Sequence, residues 1–214
     1  MQSAIEASET EQHRAFWLAQ GLAQQIRDEV SAADVLIVPL KDFRERVPFV
    51  FHQDTIAVAR FLSKALAGQA KVEVLADDEE FVEIALHSDE YRFSTMLVNY
   101  LVAPLVVGLL TNYLYDVLKA QPGDSVEMSL IVEDQHCRAM KVNFKGDAKD
   151  FNLMADKVGQ LSRECMTASS AATSAGGSSK QTSDRTRSQA GSADLMHGHL
   201  SNHVAAHESP GDKN

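Results

Sequence analysis

Between Arg92 and Asp116 the chain runs for 23 residues, Phe93 to Tyr115, without a charged side chain. Folded as one helix, that run would be about 34 Å long, enough to cross the hydrocarbon core of a bilayer. It lies midway between segments patterned like ordinary soluble structure, so its mode of burial governs which folds are open to the chain. Tyr91, Tyr113 and Tyr115 stand near its ends, as aromatic residues do at membrane interfaces. Against a span, Asn99 and Pro104 lie inside it and are costly on an isolated helix facing lipid. Arg92 and Lys119 flank it one on each side and give no basic asymmetry to orient it. Met96 to Leu110 is apolar nearly all round, which equally fits a helix wrapped by a soluble core. In that setting Pro104 kinks the helix and Gly108 admits a close neighbour. The sequence therefore predicts a long apolar helix over 91–119. Its Leu101, Leu105, Val106 and Leu109 serve as core, as an interface with a second copy or protein partner, or as a membrane-facing surface.

The preceding segment, 1–90, reads as a small α/β module. Ser8 and Glu11 have capping-box spacing, and Leu18, Leu22 and Ile26 share a face, which predicts a helix from about Glu9 to Val30. Val35 to Val38 is wholly apolar between Asp34 and Pro39, the mark of a strand buried on both faces. Asp54 is placed to cap a helix carrying Val58, Phe61, Leu62, Ala65 and Leu66, and Gly68 stops it. Lys71 to Ala76 gives a second strand, parallel to the first through a βαβ crossover. Phe81 to Leu86 gives a third, added antiparallel.

The segment 120–166 shows the clearest alternation. Val126, Met128, Leu130 and Val132 face one way, and Met140, Val142 and Phe144 answer them on the return strand. A turn near Gln135 to Cys137 sets Met128 against Phe144 and Glu127 against Lys145. Asp147 then caps a helix carrying Phe151, Met154, Ala155, Val158 and Leu161. A two-stranded ribbon is too small to stand alone, so this unit packs on the same core as the rest.

Composition changes at Thr167. From there to Ser192, 20 of 26 residues are Ser, Thr, Ala or Gly. Such a stretch buries too little apolar area to offset chain entropy, so 167–214 reads as a disordered tail. The acidic balance belongs to the ordered part: 26 acidic less 16 basic residues through Met166 gives −10, and the rest is neutral with 4 of each. An acidic chain without a basic stripe argues against nucleic acid as a partner. The polar, acidic start and the two isolated cysteines, Cys137 and Cys165, predict a cytoplasmic address, with membrane association as the alternative.

Candidate chemistry is sparse. Arg44, Arg46 and His52 lie in a loop after the first buried strand and before a helix, where open α/β sheets bind anions. His199, His203 and His207, spaced i, i+4, i+8, would align on one helical face and hold a metal weakly. His87-Ser88-Asp89 are consecutive and cannot converge as a triad. Asp77 to Glu80 reads as a solvated turn, and no glycine-rich phosphate loop exists. No cofactor is implied.

The fold expected is α/β or α+β: a small mixed sheet with a βαβ-type N-terminal module, the long apolar helix, a β-hairpin with a C-terminal helix, and the tail. The leading functional expectation is a non-catalytic interaction or regulatory protein that self-associates through the apolar helix. The alternatives are a membrane-anchored accessory protein with a single span at 93–115, and a small enzyme or anion-binding domain using the 44–55 loop.

Overall fold

The computed structural model describes residues 2–19, 24–40, 50–76, 81–84, 90–134 and 138–175. In chain order its strands are β1 (Ala4–Thr10), β2 (Val35–Ile37), β3 (Val50–His52), β4 (Val72–Val74), β5 (Val82–Ile84), β6 (Glu90–Arg92), β7 (Met96–Asn99), β8 (Ser125–Glu133) and β9 (Ala139–Asp147). Its α-helices are α1 (Arg14–Leu18), α2 (Gln24–Ala32), α3 (Thr55–Ala65), α4 (Ala103–Asn112) and α5 (Asn152–Ala175). The main sheet is mixed and seven-stranded, in the order β1-β9-β8-β7-β2-β4, with β6 also paired to β8. β3 and β5 form a separate parallel pair.

Alternation along the central strands sorts their side chains onto two faces. Val35 and Ile37 of β2, Met96 and Val98 of β7, and Met128 and Leu130 of β8 face the larger core. Val58 and Leu62 of α3, Val106 and Leu110 of α4, and Phe151, Met154 and Val158 of α5 cover that face. Leu36, Leu97 and Ile131 point the other way, toward Trp17 and Val30 of α1 and α2. Glu133 secures the smaller layer, accepting from the Arg14 backbone N–H at 2.8 Å and pairing with its guanidinium at 3.2 Å. Together these elements belong to one compact unit, Met1–Gly177.

Several expectations hold. β2 and β4 are parallel across α3, as a βαβ crossover requires. The hairpin has the expected register, Met128 opposite Phe144 and Glu127 opposite Lys145, and the latter pair meets at 3.0 Å. Asp147 caps the turn into α5, accepting from the Lys149 N–H at 3.0 Å. Phe151, Met154 and Val158 are fully buried on α5, each worth about 1.5–3 kcal/mol of apolar burial.

The run Phe93–Tyr115 is not one helix. It is divided among β7, a turn at Tyr100–Val102, α4 and a wide π-type turn over Tyr113–Val117. A strand buried on both faces is apolar at every position, so over a few residues it cannot be told from a buried helix. Asn99 makes the corner, its Oδ1 accepting from the Leu101 N–H at 3.0 Å. Pro104 lies in the first turn of α4, where its missing N–H costs nothing, and it starts the helix instead of kinking it. A Cβ on Gly108 would meet nothing within 4 Å, so no neighbour depends on that glycine. Among the described residues, no helix is long and apolar enough to cross a membrane.

Three further differences are local. The start of the helix expected from Glu9 belongs instead to β1, which is antiparallel to β9, and among the described residues of that span α1 and α2 are helical. Ile5 and Ala7 of β1 pack on the larger core, so tertiary pairing overrides the Ser8–Glu11 spacing. β5 pairs in parallel with β3; the antiparallel neighbour of β2 is β7. α5 continues to Ala175, past the Met166 boundary expected for the tail. The rest of the tail, with His199, His203 and His207, lies outside the described residues.

Candidate functional site

β6 and β7 form one line along β8, and that line contains a bulge. Arg92 sits opposite Glu127 and Met96 opposite Leu130, so three residues, Phe93, Ser94 and Thr95, span the distance covered by Met128 and Ser129. An extra residue of this kind re-aims side chains and is common beside functional sites. Here it turns Ser94 toward the junction of β3 and α3.

At that junction three groups close a ring of hydrogen bonds. The Thr55 hydroxyl donates to the His52 carbonyl at 2.6 Å, because a carbonyl only accepts. A hydroxyl has one hydrogen, so Ser94 must donate across the 2.7 Å contact to Thr55 Oγ1. Ser94 Oγ in turn accepts from the His52 N–H at 2.9 Å. Thr55 and Ser94 are both buried, and every hydrogen of the ring is committed. The Ser94 hydroxyl therefore positions the His52 backbone and is not an activated nucleophile.

The same bonds hold Asp54 in the left-handed region, at φ 66°, which Asp tolerates better than most residues. The cap expected from Asp54 is not made. Glu83 of β5 caps α3 instead, its Oε1 accepting from the Ile56 N–H at 3.1 Å. Asp54 is left exposed at the mouth of a cavity of about 450 Å³.

That cavity brings together His52, Asp54 and Thr55 from the β3–α3 junction, Glu90 to Ser94 from β6 and the bulge, Tyr113 after α4, and Asp124 before β8. Its apolar floor includes Ile37, Val58 and Met96. A second cavity, of about 250 Å³, is lined by Trp17, Ser129 and Lys141, and shares His52 and Phe93 with the first.

Burial, and then the neighbouring Arg92 guanidinium, hold the His52 imidazole below its ordinary value against the pull of Glu127 and Glu90. Arg92 is engaged by Glu90, with Nε 2.8 Å from Oε2 and a second contact through Nη2. Burial pushes the Glu90 carboxyl up, but bonds from Arg92 and Ser125 outweigh it and leave it below its ordinary value. Burial raises the Tyr113 phenol, and the Asp54 charge raises it further. Cys165 is half-buried; burial and Asp134 push its thiol up, away from reactivity.

Of the ligand-binding candidates named from sequence, His52 is the one that the described residues place in this site, and the expected cap Asp54 joins it there. Arg44 and Arg46 lie outside the described residues, as do His87 to Asp89, Asp77 to Glu80 and Cys137. Leu101 and Leu105 are 59% and 44% exposed, whereas Val106 is fully buried and Leu109 half-buried. Arg92, Ser94, Thr55 and Tyr113 were not foreseen. Arg92 and Tyr113 had served only as landmarks at the ends of the apolar run, and nothing local marks Ser94 as reaching another strand. Among the described residues no group of three or more His, Cys, Asp or Glu is arranged to hold a metal. No protein-family model, curated protein or solved structure matches this chain.

Proposed function

We propose that this chain is a small-molecule-binding domain whose ligand seats in the cavity beside the β6–β7 bulge. The carrying observation is the cavity itself: about 450 Å³, within the usual range for ligand sites, and apolar below with polar groups converging above. The half-buried His52 imidazole makes no hydrogen bond to a described residue, so its ring nitrogens are available to a ligand. This is the third sequence expectation in altered form, since it keeps the carboxyl end of the 44–55 loop. The test is a fragment screen by amide NMR on the full chain. Hits should move the amides of His52, Thr55, Arg92 and Ser94, and Ile84→Trp at the cavity wall should block them. Hits that all map elsewhere, or that survive Ile84→Trp unchanged, would reject this reading.

A second reading, self-association, is supported by the exposure of Leu101, in the turn before α4, and Leu105, in the first turn of that helix. Sedimentation of the full chain tests it. Association abolished by Leu101→Asp with Leu105→Asp supports it, and a monomer at every concentration rejects it.

A further inference from the structure

We propose that the cavity selects a positively charged organic amine and that Asp54 supplies its counter-ion. The inference rests on the reading of the cavity as a ligand site and adds the charge of the ligand to it.

Among the described lining residues the charged groups are Asp54, Glu90, Arg92 and Asp124. Glu90 and Arg92 neutralise each other through their double contact. Asp124 is occupied in its own turn, its Oδ2 accepting from the Gln121 N–H at 2.7 Å. Asp54 is what remains: a carboxylate at the cavity mouth with no ion pair to a described residue and no role as a cap. An anion entering here would meet uncompensated negative charge. Nor does the N-terminus of α3 offer such an anion its positive end, because Glu83 already occupies it.

An amine meets the opposite conditions. Its ammonium pairs with Asp54, and a hydrocarbon body of a few carbons rests on Val58, Met96 and the rings of Phe93 and Tyr113. Aromatic faces add attraction for a cation that has shed its water. Asp54 and Tyr113 both line the cavity, and the Asp54 charge reaches the Tyr113 phenol, adding to the rise that burial causes.

Three probes of similar shape and different charge test this on the full chain: 2-phenylethylamine, 2-phenylethanol and 3-phenylpropanoate, titrated at pH 7 by amide NMR. The amine should bind about tenfold more tightly than the alcohol, the acid more weakly than both, and the shifts should centre on Thr55 and Arg92. Asp54→Asn should remove the advantage of the amine while leaving the alcohol unchanged. Asn also tolerates the left-handed backbone, so the variant keeps its fold. Equal binding of amine and alcohol, preference for the acid, or an amine preference that survives Asp54→Asn would overturn the charge assignment and leave the cavity reading standing. Failure of all three to move any cavity resonance would remove both.

Discussion

β8 and the line formed by β6 and β7 lie side by side in the sheet and behave differently. β8 is continuous from Ser125 to Glu133 and pairs without a gap along β9. Its other neighbour breaks at Phe93–Thr95, where one extra residue is accommodated. The continuous strand chiefly packs. The broken one does two further things. It absorbs the extra residue, so that Met96 and Val98 reach the helix-covered face, while Arg92, four residues earlier, keeps to the Glu127 and Lys145 side. It also turns Ser94 toward His52 and so builds one wall of the cavity. A single inserted residue thus serves packing and site together.

The largest effect should come from removing the asymmetry outright. Deleting Thr95 leaves Phe93 and Ser94 opposite Met128 and Ser129, so Met96 keeps its place opposite Leu130, while Ser94 joins the face of Ser129 and loses its contacts with His52 and Thr55. Circular dichroism should then show a folded chain, with the His52 and Thr55 amides shifted further than in any point variant. A deletion variant with native His52 and Thr55 shifts would mean that the bulge does not position Ser94. Next comes a cut in the unbroken strand. Leu130→Ala should cost about 2–5 kcal/mol in urea unfolding, with His52 and Thr55 resonances unmoved in the molecules that remain folded. Ser94→Ala should cost less, about 1–3 kcal/mol, yet shift those resonances strongly, because the His52 N–H and Thr55 hydroxyl lose their partner. Adding Thr55→Val should then cost less than Thr55→Val costs in the parent, which a double-mutant cycle reads directly.

The smallest effect is a matter of pH. His52 is held below the ordinary imidazole value by burial first and Arg92 second. The unfolded chain therefore takes up this proton at higher pH than the folded one. Stability should be intact above about pH 6.5 and decline as the pH falls from there toward the folded-state value. Arg92→Gln should raise the His52 midpoint only in part, since burial remains. A midpoint at or above the ordinary value in the NMR titration would contradict the site geometry.

These regions also differ in how plainly sequence announces them. The β8–β9 register could be read because each strand has one apolar and one polar side over most of its length, and period two has no helical rival there. β7 could not, because both its faces are covered and its residues look alike to either period. β1 was missed for the opposite reason: Glu6, Ser8 and Glu9 are poor strand formers, and the pairing comes from the open edge of β9. Of the site, His52 and the start of α3 were visible as a loop-to-helix junction. Ser94, Arg92 and Tyr113 reach it through a bulge and a turn that leave no mark on hydrophobic patterning.

The place of β1 carries a consequence for how the chain is made. Ala4 pairs with Lys145, Ser3 bonds Asp150 at 2.7 Å, and a Cβ on Gly146 would strike Ser3. β1 thus leaves the ribosome well before β9, its sheet partner among the described strands, which lies near the far end of the ordered unit. It must wait as an unpaired segment until β9 has been made, and closing so long a loop is slow. Glu6 and Glu9 give that waiting strand negative charge, which discourages it from pairing with a neighbouring nascent copy.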